Sequence, residues 1–434
     1  MCVNNALICF FEILYFYNLK ENMFDQQEIL KILLPLLEID SVKSAPDVDA
    51  PFGKGVKKAL DYVLSLAKEM GFKTINYDNY VGEVIYGEGK PFGVLCHLDV
   101  VPTGSLSAWK YPPFCPTIEG DKLYCRGAVD DKSAAISVLF ALFEMKKRGI
   151  VPKRQIKLIL GCDEESGWGC IEHYKKCACL PEDGFSPDAD FPVIYAEKGI
   201  LHVKYAFKTL KPVFAQGGVK ANVVCDHATA DADIDGNGVK TYEFFGKTAH
   251  GSTPEKGENA LLKMTAFLEE HGFLESGVTD KLFLNCEGAK DLCDETGYLT
   301  FSPNIAATKG NEIYYTVDVR YPATMERSFI EEKLSHIGKY SVLSFQPPLF
   351  SDKNGRLVKT LVGVFNEVTG KNAEPIAIGG GTYARALKNG VAFGPCINEE
   401  GDTVHMPNEY ITLSTLMKMT EIYYKALIKL CVDI

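Results

Sequence analysis

Apolar residues repeat with two different periods along this chain, and each period predicts a kind of element. Apolar positions recur at helical spacing over residues 56–67 and stop before Gly71, which predicts an amphipathic helix. Shorter apolar runs over 73–77, 82–86 and 93–98 predict strands, the last of them central and buried. Further helices are predicted over about 25–37, 133–148 and 413–430. Strands alternating with helices predict a layered α/β domain with a mixed sheet between helices.

The pattern changes near Glu197. Runs such as LHVKYAF, KTYEFFGK and EIYYTVDVRY follow, with the single clear helix ENALLKMTAFLEEHG among them, and they predict an α+β region with antiparallel strands. From about Ser351 the α/β pattern returns. We therefore predict one α/β domain formed by residues 23–197 and 351–434, interrupted by an α+β lid domain over 198–350.

The first 22 residues do not fit either pattern. The segment Ala6–Tyr17 is apolar, but it is shorter than the roughly 20 residues that a membrane-spanning helix needs. It has neither the basic start nor the cleavage site of a secretory signal. Met23 then opens an amphipathic helix. We hypothesise that Met23 is the biological start and that residues 1–22 are a non-native leader.

Composition narrows the class of protein. Of the 434 residues, 46% are hydrophobic and 24% charged, which is typical of a soluble globular protein. A net charge of -11 argues against nucleic acid or an anionic membrane as a partner. The fourteen cysteines are scattered, which favours reduced thiols in the cytoplasm. Cys177 and Cys179 have no second pair at zinc-finger spacing, so no structural zinc site is predicted there.

Histidine and acidic residues follow several of the predicted strands. In GVLCHLDVVP, His97 and Asp99 leave the strand end on the same side, because side chains two apart face the same way. The carboxyl ends of strands in an open α/β sheet gather ligand sites, and clustered carboxylates repel unless a cation neutralises them. Two histidines with several carboxylates suit zinc, with manganese or cobalt as alternatives. The candidates are His97 with Asp99, Asp130 with Asp131, Glu164 with Glu165, Asp188 with Asp190, and His405.

Each candidate also has a structural interpretation when taken alone. Asp130 and Asp131 could cap the following helix, His405 could be a core histidine, and Arg320 could be a structural ion-pair partner. Glu164 and Glu165 could be a solvated loop pair, His250 a surface residue, and GGGTYAR a turn. The remaining histidines match no motif and are interpreted as structural: His173, His202, His227, His271 and His336.

Six motifs that follow one another along the chain favour the functional interpretation over the structural one. They are HLDVVP, RGAVDDK, GCDEESG, SPDADFP, GKTAHGSTPEKGENA and HMPNE. Together they resemble the dinuclear-zinc aminoacylase and carboxypeptidase family, and within it the V-type dipeptidase branch most of all. The resemblance runs from about Met23 to the C-terminus. Ser133 departs from it, since the family usually has glycine after DDK. We expect little harm there, because serine caps helices well.

The resemblance implies a role for each matching residue. Asp130 would bridge two metal ions, His97 and Asp188 would complete the first, and Glu165 and His405 would complete the second. Glu164 would be the general base, Asp99 would orient His97, and His250 would be the lid histidine that reaches the scissile carbonyl. The resemblance also implies a cis peptide between Asp130 and Asp131.

Substrate capture is predicted less directly. Arg320 could clamp a C-terminal carboxylate with its planar guanidinium. The backbone N–H groups of Gly379, Gly380 and Gly381 could form an anion nest, and Asn222 could reach the oxyanion. Asp188 or Asp190 could receive a free amino terminus.

The expected activity is that of a cytoplasmic metal-dependent dipeptidase acting on unblocked dipeptides through a hydroxide shared by two zinc ions. The alternatives are a deacylase of N-acyl amino acids such as succinyl-diaminopimelate, and a catalytically silent member that binds peptide or metal. A monomer is expected rather than a dimer, because the enlarged lid of the dipeptidase branch mimics a partner subunit. The insertion, at about 150 residues, looks shorter than in that branch, which leaves the oligomer open.

Overall fold

The computed structural model describes residues 23–397 and 403–433, so the predicted leader lies outside the described residues. The chain forms two compact units. The first contains the described residues up to Tyr195, together with Ser351–Ile376 and the residues from Thr382 onward. The second contains Ala196–Phe350 and Ala377–Gly381. Among the described residues, no helix has the length and apolar character required to cross a bilayer.

Helices occur in both units. They are α1 Gln26–Leu37, α2 Lys54–Glu69, α3 Lys132–Lys147, α4 Gly169–Cys177, α5 Ala260–Glu270, α6 Arg327–Ile337, α7 Arg356–Thr369 and α8 Leu413–Cys431. Short 3₁₀ or π turns cover Leu106–Ala108, Pro254–Lys256, Asp280–Leu284, Cys286–Asp291 and Tyr383–Ala386.

Strands precede, separate and follow these helices. They are β1 Lys73–Tyr77, β2 Val81–Tyr86, β3 Phe92–His97, β4 Thr117–Glu119, β5 Lys122–Tyr124, β6 Ile156–Gly161, β7 Asp183–Ser186, β8 Ala189–Asp190, β9 Ile194–Glu197, β10 Gly199–Lys208, β11 Val213–Gly217 and β12 His227–Ala232. The later strands are β13 Lys240–Phe245, β14 Cys293–Asp294, β15 Gly297–Tyr298, β16 Thr300–Lys309, β17 Glu312–Tyr321, β18 Tyr340–Gln346, β19 Leu349–Phe350, β20 Ile376–Ile378, β21 Asn389–Ala392, β22 Pro395–Cys396 and β23 Tyr410–Thr412.

The sheet of the first unit has parallel strands at its centre. Its strand order is β1-β2-β6-β3-β7-β21-β9. The pairs β6–β3, β3–β7 and β7–β21 are parallel, while β1–β2, β2–β6 and β21–β9 are antiparallel. All six residues of β3 are buried, as a central strand covered on both faces requires. The carboxyl ends of β3, β6, β7 and β21 therefore lie along one edge of the sheet.

A small antiparallel sheet fixes the C-terminal part of the first unit. Strand β23 pairs with β5, and β5 pairs with β4. The backbone N–H of Cys125 also donates to the carbonyl of Glu409 at 3.1 Å. This pairing places the segment after His405 beside the segment before Asp130.

The second unit is built on an antiparallel sheet of order β13-β12-β11-β16-β17-β10-β18. Strand β17 shows how the sequence builds it, since Ile313, Tyr315, Val317 and Val319 point every second residue into the core. Helix α5 packs on this sheet through Leu261, Met264 and Leu268. The predicted layered α/β fold with a mixed sheet is confirmed.

One local expectation is wrong. Asp131, and not Ser133, is the N-cap residue of α3, and its side chain makes no capping hydrogen bond. Ser133 lies inside the first turn, where its hydroxyl is buried without a hydrogen-bond partner. The backbone enters the helix two residues earlier than the capping argument assumed.

Candidate metal centre

The candidate centre lies where the central strands of the first unit end. His97 is the last residue of β3 and stands opposite Gly161 of β6. The backbone N–H of Leu98 donates to the carbonyl of Gly161 at 2.9 Å, which holds the two strand ends together. Any side chain at Gly161 would collide with the Tyr383 hydroxyl, so the close approach requires glycine there. Glu164 and Glu165 follow β6, and Asp188 follows β7.

His97 is fully buried, and its two ring nitrogens have different surroundings. Nδ1 lies 2.9 Å from the backbone carbonyl oxygen of Asp99, so this nitrogen carries hydrogen and donates it. In the neutral ring the lone pair of Nε2 then points at Asp130 Oδ1, 2.8 Å away, and Asp188 Oδ1, 3.6 Å away. A lone pair facing two carboxylates is repulsive, so this arrangement needs a proton or a metal cation between the groups.

His405 repeats this arrangement on the other side of Asp130. Its Nε2 lies 2.8 Å from Asp130 Oδ2 and 3.1 Å from Glu165 Oε1. The two oxygens of Asp130 therefore face two different imidazoles. A carboxylate in this position can contribute one oxygen to each of two cations.

The peptide bond between Asp130 and Asp131 is cis, as the resemblance implies. Asp131 turns its Oδ2 to the backbone N–H of His97 at 3.1 Å. Neither carboxylate is used as the helix cap that the structural interpretation supposed.

Burial and like charges shape the electrostatics of this centre. Burial and the neighbouring Asp188 raise the pKa of Glu164 well above its ordinary value. Burial and repulsion by Asp130 raise the pKa of Glu165 to about 7, although His405 opposes the shift. Burial would lower the pKa of His405, but the hydrogen bonds to Asp130 and Glu165 outweigh it and raise the value to about 11. The raised pKa values of the two glutamates and of His405 all reflect an excess of carboxylates over positively charged groups in this centre.

Asp99 acts through different atoms from those expected. Its carboxylate is 3.7 Å from His97 Nδ1, too far for a hydrogen bond, while its backbone carbonyl orients the ring. The carboxylate instead accepts the backbone N–H groups of Glu164 at 3.1 Å and Glu165 at 3.2 Å. Asp99 thus positions the glutamate loop as well as the histidine, because its side chain points past the strand end toward that loop.

Trp168 is a residue that sequence reasoning missed. Its indole Nε1 donates to Glu164 Oε1 at 3.1 Å. Its φ of 61° lies in the left-handed region, directly before α4 begins. The contact fixes the orientation of the Glu164 carboxylate.

Glu409 is a second missed residue. It is fully buried, and its carboxylate accepts from Arg126 Nη1 at 2.6 Å and from the backbone N–H groups of Gly127, Val129 and Asp130 at 3.1, 2.8 and 3.2 Å. It therefore holds the loop that carries Asp130, from a position four residues after His405. The signal was present in HMPNE, whose last residue is this glutamate.

The chemistry of the donor set fits divalent metal ions. Two overlapping groups, His97 with Asp130 and Glu165 and His97 with Glu164 and Asp188, place ligand atoms within 4.8 Å of one another. Imidazole nitrogen and carboxylate oxygen suit zinc and also accept manganese or cobalt. The structure brings the predicted ligands of the first unit together, and their individual roles remain predictions.

Arg320, the predicted carboxylate clamp, is paired with Asp318 in the second unit. Arg320 Nε and Nη2 donate to the two carboxylate oxygens of Asp318 at 2.8 and 3.1 Å. Its Nη1 lies 3.4 Å from the carbonyl oxygen of Gly379. Gly251 approaches so closely that a Cβ would collide with Asp318 Oδ2. Two nitrogens of Arg320 are therefore engaged in an ion pair with Asp318. A carboxylate clamp would have to use the third, Nη1.

His250 and Asn222 lie side by side in this unit. Val223 forms an isolated antiparallel bridge with His250, and the carbonyl of Asn222 accepts the N–H of Gly251 at 2.8 Å. Nδ1 of His250 accepts the backbone N–H of Ser252 at 3.2 Å, which in the neutral ring leaves the hydrogen on Nε2. His250 is thus set up as a donor through Nε2.

The glycine loop turns the Gly379 carbonyl toward Arg320, whose Nη1 lies 3.4 Å away. Gly379, Gly380 and Gly381 do not have positive φ values. Their predicted role as an anion nest remains a prediction.

Sequence comparisons identify relatives over nearly the whole chain. Residues 93–429 match peptidase family M20/M25/M40. A putative dipeptidase of Bacillus subtilis strain 168 is 34% identical, with 94% of this chain and 96% of the relative covered. A putative dipeptidase of Staphylococcus aureus strain MW2 is 33% identical, with 94% and 98% covered.

Solved structures share the fold. Human carnosine dipeptidase 1 matches with a TM-score of 0.61 and 13% identity, covering 93% of this chain and 96% of that one. The dipeptidase Dug1p of Saccharomyces cerevisiae matches with a TM-score of 0.58 and 14% identity, covering 92% and 95%. At these identities the likeness concerns the fold alone. The match over residues 93–429, together with the Bacillus relative, shows that this chain belongs to peptidase family M20/M25/M40.

Proposed function

We propose that this protein is a metal-dependent dipeptidase that hydrolyses unblocked dipeptides. The observation that carries the proposal is Asp130, whose two oxygens face His97 and His405 at 2.8 Å each. Asp188 extends this set on the side of His97, and Glu165 extends it on the side of His405. The names of the Bacillus and Staphylococcus relatives, both putative dipeptidases, support the same activity.

Two divalent cations are proposed for this donor set. His97 and Asp188 would hold the first, Glu165 and His405 the second, and Asp130 both. Bound there, such cations supply Lewis acidity that polarises a carbonyl and activates water. Zinc suits these donors, and manganese or cobalt are alternatives.

Glu164 is proposed as the general base. Trp168 holds one of its oxygens, and burial raises its pKa, so the carboxylate binds a proton readily. A group of this kind can take a proton from the attacking water and hand it to the leaving amine. His250, which carries its hydrogen on Nε2 when neutral, is proposed as the donor to the developing oxyanion.

Recognition of the two substrate ends is also a proposal. Arg320 Nη1 would contact the C-terminal carboxylate, with Asp318 holding the rest of the guanidinium in place. Asp188 or Asp190 would receive the free amino group. We further propose a cytoplasmic enzyme that acts as a monomer.

The test is a substrate panel with the metal-reconstituted protein. Dipeptides, tripeptides and N-acyl amino acids, including succinyl-diaminopimelate, would be compared by kcat/KM. Turnover of free dipeptides well above the other two classes supports the proposal. Activity confined to N-acyl amino acids would make the protein a deacylase, and no turnover of any class would make it a silent member of the family.

A matched pair of variants tests the mechanism. Glu164→Ala should retain metal, measured by elemental analysis, and lose kcat by about 10²–10⁴-fold, as expected when a general base is removed. Glu69→Ala is the control, because Glu69 is exposed at the end of α2 and lies outside the centre. Undiminished hydrolysis by Glu164→Ala with metal bound would contradict the assignment.

A further inference from the structure

A second group of metal-ligand side chains lies in the first unit, outside the proposed centre. Asp78 stands in the turn between β1 and β2, and His173 and Cys177 stand on α4. His173 Nε2 is 2.9 Å from Asp78 Oδ2 and 3.5 Å from Cys177 Sγ. The three ligand atoms lie within 4.8 Å of one another. This cluster shares no residue with the proposed catalytic centre.

The spacing of these atoms fits a tetrahedral zinc site. With Zn–N and Zn–O of about 2.0 Å and Zn–S of about 2.3 Å, tetrahedral angles separate the ligand atoms by roughly 3.3–3.6 Å. The nitrogen–sulfur distance of 3.5 Å already matches. The nitrogen–oxygen distance of 2.9 Å must widen by a few tenths of an ångström, and Asp78 is exposed enough to move, with 75% of its side chain accessible.

The helix places two of the ligands, and their spacing in the sequence explains how. His173 and Cys177 are four residues apart on α4, so both side chains leave the same face. One ring nitrogen of His173 faces both the carboxylate and the sulfur. A single N–H donates well to one of them only, whereas a cation at this point contacts all three.

The hairpin turn fixes the backbone of the third ligand, while its exposed side chain can still move. Asp78 and Asn79 have φ values of 53° and 60°, the positive values that the two central residues of a type I′ turn adopt. The turn is closed by the Tyr80 N–H donating to the Tyr77 carbonyl at 2.9 Å, and Asn79 is held by Asn76 Oδ1 at 2.8 Å.

Aromatic stacking fixes the histidine ring. The Tyr80 ring stacks on His173 with centroids 4.1 Å apart and planes at 15°. Phe52 packs edge-on against Tyr80, with ring centroids 5.1 Å apart. The ring is therefore oriented before any ion arrives, which lowers the entropic cost of binding.

We propose that Asp78, His173 and Cys177 form a separate zinc-type site, with water as the fourth ligand, that clips the β1–β2 turn to α4. Cys177 is a free, exposed thiol, and it would lose its proton on binding. The site does not depend on the proposed dipeptidase activity. It predicts one more tightly bound divalent ion per chain than the catalytic centre alone would hold.

Sulfur gives the experiment its selectivity, because the proposed catalytic centre contains nitrogen and oxygen donors only. Reduced, metal-free protein would be titrated with cobalt(II), and thiolate-to-cobalt charge-transfer absorption would be followed in the near ultraviolet. We expect a saturable band that added zinc abolishes. Cys177→Ser should remove the band, and Cys179→Ser, two residues further along and also exposed, should retain it. Asp78→Ala should weaken half-saturation by roughly tenfold or more.

Other outcomes would overturn the site. A band that persists in Cys177→Ser would place the sulfur ligand elsewhere. Absence of a band in the unmodified protein would mean that no sulfur-ligated metal site exists. Saturation only at about 1 mM cobalt or above would mean an adventitious ion only. Thermal unfolding of each variant without metal checks that the fold is intact. Dipeptide hydrolysis, measured separately, neither supports nor contradicts the result.

Discussion

Each of the two units contains a buried cluster of charged side chains, and the two clusters balance their charge differently. In the second unit, Asp318 is paired through both oxygens with Arg320, so the cluster is neutral by itself. Burial would raise the pKa of Asp318, but His202 and Arg320 outweigh it and lower the value. In the first unit, burial raises the pKa of Asp188 despite the contact with His97.

The centre of the first unit holds more carboxylates than cations. Asp130, Asp188 and Glu165 contact two imidazoles, and Glu164 is a fourth carboxylate close to His97 and Asp188. A cluster that protein charges already neutralise has no net charge to attract an external cation, and it becomes costly only when one partner is removed. A cluster that lacks positive charge is suited to bind it from outside, and this is the physical difference between a structural ion pair and a metal site.

The largest expected effect comes from breaking the neutral pair. Asp318→Ala leaves the Arg320 guanidinium buried and unpaired, which should lower the free energy of unfolding by about 3–5 kcal/mol. In metal-free protein, Asp188→Asn removes a charge that burial already disfavours, so its unfolding midpoint should stay the same or rise. Urea unfolding of both variants checks the comparison, and a large loss in metal-free Asp188→Asn would contradict it.

The pH dependence of stability should distinguish metal-free from metal-loaded protein. The folded pKa of Glu165, about 7, lies above its ordinary value of 4.5, so the unfolded chain binds fewer protons between these values. This contribution, about 3 kcal/mol, is present below pH 4.5 and is lost as the pH rises to 7. With excess zinc the trend should reverse, because bound ligands must be deprotonated. Unfolding with chelator and with zinc, at several pH values across this range, measures both slopes.

Glu409 tests whether the proposed metal centre depends on a neighbour that is not itself a proposed ligand. Glu409→Gln keeps the shape but weakens the bonds to the N–H groups of Val129 and Asp130, so Asp130 is held less firmly. We expect metal affinity to fall by about 10–100-fold, as for other groups that orient a ligand. Isothermal titration with zinc provides the measurement. A change in unfolding midpoint with unchanged zinc affinity would make Glu409 structural only.

The smallest expected effect separates the ion pair that Arg320 makes with Asp318 from its proposed contact with the substrate carboxylate. Arg320→Lys keeps the positive charge for Asp318 but loses the planar guanidinium. The Nη1 donor, which lies 3.4 Å from the Gly379 carbonyl and is proposed to bind the substrate carboxylate, is then missing. We expect KM for dipeptides to rise about tenfold with kcat little changed, the equivalent of one charge-assisted hydrogen bond of about 1.5 kcal/mol. An unchanged KM would confine Arg320 to its ion pair with Asp318.

The elements and the ligand types followed from local pattern. Burial periodicity placed β3 and α8 within a residue or two of where they lie, because apolar spacing directly reflects the face that a strand or helix covers. Parallel strands also require their carboxyl ends to meet, so the candidates following β3, β6 and β7 were correctly expected to converge.

The atoms in contact, in contrast, were decided by tertiary structure. The sequence determined that His97, Asp130 and His405 are present at the ends of elements, but not that Asp99 orients His97 through its carbonyl. The pairing of β23 with β5 brings Glu409 to the Asp130 loop across 279 residues of chain. The contact between Asp78, in the β1–β2 turn, and His173, on α4, likewise joins residues 95 apart in the sequence. Local pattern cannot encode such contacts, because they depend on how separately specified elements pack and on which side-chain rotamers the packing allows.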